Sequence, residues 1–308
     1  MIDFLQTTEF VLTMTAAYLL IGLGWNVVYN TCGYLNFAIG QFYILGAILS
    51  FRFQSSWGID SPWLAGLLAV ISAGVIAFVA ERLVLRPLAS LGLDERGLAP
   101  LILTIGLGLI LVQVSFKLSP STVTRPQELL PGTIDVGGVL IAKQSLLMWF
   151  ATAVVAGALF MFFRRTDMGR AMRAAAVSPS AARALGLRVA SFRTLAFTLS
   201  GLLAGFAGFL IAPTQGIAYN GGDVIAIYSF MAVSIVGLGR DGMAVVGAVV
   251  VASIQGYSAR YLGQSVSEVI VLVAFLGVVY LYAARADGGI LPTRLRVAMR
   301  PTPTESVR

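Results

Sequence analysis

Arg164-Arg165-Thr166-Asp167-Met168-Gly169-Arg170-Ala171-Met172-Arg173-Ala174 opens a polar, arginine-rich stretch that continues through Ser178-Pro179-Ser180-Ala181-Ala182-Arg183-Ala184-Leu185-Gly186-Leu187 to Arg193. Long apolar runs flank it, near 145–163 and 194–213. About 20 apolar helical residues cross a bilayer, so a polar helical stretch between two such runs belongs at the membrane face. It reads as a platform for another protein to push against, and the rest of the chain as the bundle that carries it.

The composition agrees. With 58% hydrophobic and 11% charged residues over 308 positions, and a mean hydropathy of +0.88, the chain holds more apolar surface than one soluble core can hide. Apolar runs fall near 10–29, 37–53, 63–80, 98–118, 145–163, 194–213, 224–239, 242–259 and 267–284. The expected fold is an all-α, polytopic transmembrane helix bundle, one domain over 1–308. It should have about eight or nine membrane segments, because 37–53 and 224–239 are short enough to cross only in part.

Charge decides the threading. The stretches 81–97, 164–193 and 285–308 hold most of the arginines and should face the cytoplasm, which puts the N-terminus outside. Of the 21 basic residues only Arg52, Lys117, Arg125, Lys143 and Arg260 then lie outside. The net charge of +7 sits in loops between apolar runs and is assigned to orientation, with no nucleic-acid partner expected. Residues 1–9 lack a basic leader region, so the first run is expected to stay in the membrane. The segment 119–144 is expected to be an extracytoplasmic loop forming a small hairpin or lid, from Pro131-Gly132, Gly137-Gly138 and the alternating Ile134, Val136, Val139 and Ile141. The tail 285–308 is expected to be cytoplasmic.

Little catalytic chemistry is on offer. One cysteine, Cys32, and no histidine argue against a metal or haem site, and no Walker-type glycine-rich sequence binds ATP. None of the 14 carboxylates falls near the middle of an apolar run, where an ion-coupled carrier commonly keeps one. The energy should therefore come from a partner. A passive channel or an ion-coupled carrier acting alone is the alternative, and a membrane enzyme is disfavoured.

Uncharged polar residues gather at two breaks. Asn26, Tyr29, Asn30, Asn36 and Gln41 surround the first, and Gln215, Tyr219, Asn220 and Asp223 the second. Interrupted segments in both halves of a transporter point to its path. Asn26, Tyr29, Asn36, Gln41 and, on the fourth run, Thr104 are the path candidates. The second break reads chiefly as a plain loop. Glycines at close spacing, such as Gly201, Gly205 and Gly208, read chiefly as helix packing.

The segment from Asp167 to Ala174, with Pro179, Ala181-Ala182-Arg183 and Leu185-Gly186-Leu187, resembles the coupling region of permeases of the branched-chain amino acid type of ABC importer. Three further motifs agree in order: Gly33-Tyr34-Leu35-Asn36-Phe37-Ala38 with Gly40, Glu81-Arg82-Leu83-Val84-Leu85-Arg86-Pro87-Leu88, and Leu98 to Gly106. The likeness covers nearly the whole chain and is closer to the shorter of the two permease types, often called the H subunit. It implies a bacterial inner-membrane subunit that imports a small solute such as a branched-chain amino acid or a related amide or carboxylate. The implied partners are a second permease of the M type, two ATPase subunits carrying ATP and Mg, an extracytoplasmic binding protein and membrane lipid, with no cofactor in this chain. Gly169, Arg170, Met172, Arg173, Ala181, Ala182 and Gly186 are the candidate ATPase contacts, the last three as one small-residue helical face. Ser180 stands where many relatives carry Glu, and Ile39 where relatives usually carry His.

Overall fold

The computed structural model describes residues 2–87, 98–119, 123, 125–136, 138–216 and 218–286. The loop residues 88–97 and the tail from 287 lie outside this set. All nine apolar runs are helical: α1 (Ile2–Cys32), α2 (Ile39–Ser55), α3 (Pro62–Ala80), α4 (Leu98–Leu118), α5 (Lys143–Arg165), α8 (Val189–Gln215), α9 (Gly222–Val236), α10 (Ala244–Leu262) and α11 (Gln264–Ala286). Between α5 and α8 the arginine-rich stretch forms two short helices, α6 (Asp167–Val177) and α7 (Pro179–Ala184). A hairpin of β1 (Thr133–Val136) and β2 (Val139–Ala142), paired Thr133↔Ala142, fills the loop where alternation predicted it.

Local chemistry sets the boundaries. Ser61 caps α3 and Pro62 occupies its first turn, where a missing N–H costs nothing. The α3 helix then widens into a π-helical turn, Glu81–Leu85. Gly33, at φ +76, lets the chain turn back directly after α1.

Seven of these helices are long and apolar enough to cross a membrane, so the protein is a multi-pass membrane protein. The α2 and α9 helices, of 17 and 15 residues, are the short ones. Central and peripheral helices differ in burial. The long α1 helix and α8 are largely enclosed, and every α2 residue from Ile39 to Ser50 is buried. On the outer helices Leu67, Ile71, Leu109, Phe150 and Leu276 face outward, as lipid-facing side chains do. Because lipid is as apolar as leucine, close packing must hold the helices together. The glycines supply it: a Cβ at Gly46 would overlap the Gly205 backbone, one at Gly208 the Tyr43 carbonyl, and one at Gly247 the Ala232 carbonyl.

Helix directions alternate as the charge pattern requires. At one end Asp3 pairs with Arg260 at 2.7 Å and the Gln54 side chain accepts from the Gln127 N–H at 2.8 Å. At the other, Thr194 donates to the buried Glu81 carboxylate at 2.6 Å, and Asn30 donates to the Gly239 carbonyl at 3.2 Å. The helices α6 and α7 lie at this second end.

Candidate functional sites: a half-depth groove and a surface elbow

After α1 the chain re-enters the bundle. Residues 33–38 are non-helical, with Tyr34, Asn36 and Ala38 buried, and they climb to the level of Gly24 and Ser200, near the middle of α8, where α2 begins. Irregular backbone at that depth needs partners. The Asn36 carboxamide oxygen accepts from the Ala38 N–H at 3.1 Å, and its nitrogen lies 3.5 Å from the Ser200 hydroxyl. The Thr104 hydroxyl accepts from the Phe37 N–H at 3.2 Å and donates to the Leu101 carbonyl at 2.9 Å. These two path candidates are buried and hold the backbone on either side of Phe37.

The second break re-enters from the opposite end. The α9 helix starts beside the start of α2, with the backbones of Gly40 and Gly222 in contact, so that a Cβ on either would overlap the other. This overturns the reading of 215–223 as a plain loop. Asp223, exposed in the first turn of α9, accepts a hydrogen bond from the Gln41 side chain at 3.0 Å, which sets a carboxylate level with the start of α2. The signal that hid it is Gly221-Gly222, which reads as a surface turn and instead permits the backbone contact.

Beside this junction is a groove of about 310 Å³, lined by Trp25, Phe37, Gly108, Leu109, Asp223 and Phe230 among others. Three aromatic rings wall it: Trp25 and Phe37 at 5.3 Å between centroids, Trp25 and Phe230 at 5.5 Å, and Phe37 and Phe230 at 6.3 Å. The Trp25 indole is fixed by donating to the Ser229 hydroxyl at 3.2 Å. Gly108 leaves the opening clear on the α4 side, since only Ala38, Phe37 and Gln41 lie near where a Cβ would stand. Sequence reasoning named Gln41, which supports this groove from behind Asp223, and missed Trp25, Phe37, Asp223 and Phe230. The other two path candidates lie elsewhere: Asn26 accepts from the Gly239 N–H at 3.0 Å, and Tyr29 packs by the same turn.

The second site is the elbow of α6 and α7. Thr166 caps α6 by accepting from the Gly169 N–H at 3.0 Å, and Ser178 caps α7 by accepting from Ala181 at 3.3 Å, with Pro179 in its first turn. A Cβ at Gly169 would press on the Phe163 backbone, Met172 is fully buried, and the Arg173 guanidinium donates to the Phe163 carbonyl at 2.6 Å. These three contacts lock α6 to the end of α5. Arg170 pairs with Asp167 on the exposed side.

The expected small-residue face does not exist as drawn. Ala182 is 3% exposed and packs inward with Ala175 and Val189, whereas Gly186, at φ +78, ends α7 and lies beyond the helix. The six-residue α7 helix stops before the periodicity reaches position 186. What the elbow presents outward is Val177, 79% exposed, Leu185, 81% exposed, and Ala181 between them. Val177 ends α6 and Leu185 follows α7, and large apolar side chains so exposed on a polar elbow suit contact with a protein partner.

Residues 7–282 match the family described as the branched-chain amino acid transport system permease component. The chain is 29% identical over 273 residues to the high-affinity branched-chain amino acid transport permease BraD of Pseudomonas aeruginosa, covering 84% of this chain and 87% of that one. It is 29% identical over 281 residues to the corresponding LivH permease of Escherichia coli K12, covering 87% and 90%. It is also 29% identical over 309 residues to the LivM permease of the same organism, covering 91% and 69%. A solved structure described as an inward-facing metal-chelate type ABC transporter shares the fold, with a TM-score of 0.50 and 17% identity over 90% of this chain and 85% of that one.

Proposed function

The chain belongs to the family of branched-chain amino acid transport permease components, and from that premise we propose that it moves a small apolar amino acid through the groove beside Asp223. It is a membrane permease subunit of an ABC transport system. Its relatives include both LivH and LivM permeases, which supports pairing with a second permease. The open side of the groove, between α4 and α9, presents Ile105, Leu109 and Ile227 outward, and a second permease there would close the path. The membrane is the bacterial inner membrane. The arginine-rich end, with the α6–α7 elbow, faces the cytoplasm by the positive-inside bias, and the hairpin end faces a binding protein outside.

The observation that carries this reading is the elbow. It is capped at both helices, locked to α5 by Met172 and Arg173, and exposes Val177 and Leu185 to a partner. Two ATPase subunits, with ATP and Mg bound to them, would close on that surface, and the rigid joint to α5 would pass the motion to the bundle. Reconstituted into vesicles with the second permease, the ATPases and the binding protein, the transporter should accumulate labelled leucine only when ATP is hydrolysed. Equal accumulation with a hydrolysis-dead ATPase would overturn the reading.

A further inference from the structure

The groove beside Asp223 has an unequal chemistry. Asp223 is the sole ionisable side chain among its described lining residues, and the remaining walls are aromatic, aliphatic or glycine. One carboxylate oxygen takes the hydrogen bond from Gln41, which is 1% exposed and held beneath the Gly40–Gly222 contact. The other oxygen has no partner among the described residues, and Asp223 is exposed on the groove's lining. The carboxamide oxygen of Gln41 is likewise without a partner. Aromatic and aliphatic walls withdraw solvation from an ionised carboxylate, and a cation beside it offsets that cost.

We propose that Asp223 and the Trp25, Phe37 and Phe230 rings form a recognition site for organic ammonium groups, with Gln41 as the residue that positions the carboxylate. The carboxylate takes the charged nitrogen, and the electron-rich ring faces and aliphatic walls take the apolar body that follows it. A hydrated metal ion is a poor match. Calcium and magnesium need six or more oxygens, whereas this site offers one carboxylate among hydrocarbon, and no cluster of metal-ligating residues occurs among the described residues. The inference rests on the proposed solute path and gives it a selectivity: amines and amino acids pass, and nitrogen-free carboxylates of the same shape do not.

Trp25 supplies a readout that needs no transport. In the assembled transporter in detergent, isoamylammonium chloride should change tryptophan emission saturably, and sodium isovalerate of similar shape should not. Trp25→Phe should remove the signal. Asp223→Glu should retain it, whereas Asp223→Asn should raise the midpoint about 30-fold or more, as loss of one member of a desolvated charge pair does. Where Asp223→Asn fails to assemble, Ile227→Lys is the second variant: it puts a cation one helical turn from Asp223, on an exposed lining position, and should abolish the response. Equal response to the two ions, or a midpoint within about twofold of wild type in both variants, overturns the proposal. Leucine uptake is measured separately. Loss of uptake with an intact ammonium response defeats the leucine reading alone, and uptake with a flat titration defeats the ammonium site alone.

Discussion

The α2–α9 junction and the α6–α7 elbow are both made from short helices, yet they are stabilised in opposite ways. At the junction two backbones touch through Gly40 and Gly222, and one of the two helices is buried along most of its length. At the elbow the order comes from caps and a few anchors, Thr166, Ser178, Met172 and Arg173, while the outer surface is open. In a membrane bundle the first kind of site is intolerant of volume. The second tolerates volume outside and fails when an anchor or a cap is lost.

That contrast predicts a graded set of outcomes. Gly222→Val should do the most damage, because its side chain meets the Gly40 carbonyl and the Gln41 amide, and neither can withdraw from a packed core. A loss of about 3 kcal/mol is expected, read as a shift in the denaturation midpoint of the purified permease. Wild-type stability would remove the backbone contact from the account. Leu185→Asp should leave that midpoint unchanged while weakening ATPase co-purification by about 2 kcal/mol, as loss of an interface anchor does. Ala182→Glu separates inside from outside on the same short helix: it buries a charge against Ala175 and Val189 and should loosen the elbow itself, seen as faster amide exchange over 167–187. Gly186→Ala should cost about 1 kcal/mol locally, since its φ of +78 strains any residue with a Cβ, with no overlap to add. Arg170→Glu should do least. Its pair with Asp167 is exposed and contributes little, so docking that collapses in this variant alone would move the contact surface from Leu185 to the arginines.

Much of this organisation was legible in the sequence. Nine apolar runs gave nine helices, because membrane spans are set by length and hydropathy, and both are local properties. The hairpin followed from alternation between two glycine-bearing turns. The junction was not legible. Gln41 and Asp223 are separated by 182 positions, and nothing in either segment states that the two breaks meet. Asp223 beside Gly221-Gly222 carries every mark of a surface turn, and the contact of Gly222 with Gly40 is what sets it beside Gln41 at the start of α2. The elbow failed for a different reason. A face drawn by three- and four-residue spacing from Ala181 and Ala182 to Gly186 assumes that the helix continues, and glycine in a left-handed conformation ends it. Asn36 and Thr104 were found for their polarity, and their work is to hold the backbone on either side of Phe37.

Cys32 is the chain's single thiol, and it is buried at the end of α1. Maleimides and spin labels need an accessible thiolate, so the natural protein is already a silent background for site-directed labelling. A cysteine introduced at Leu185 or Ile227 would be the one accessible thiol of this chain, with no need to replace Cys32. Distances between the elbow and the groove could then be followed through a transport cycle in an otherwise unaltered permease.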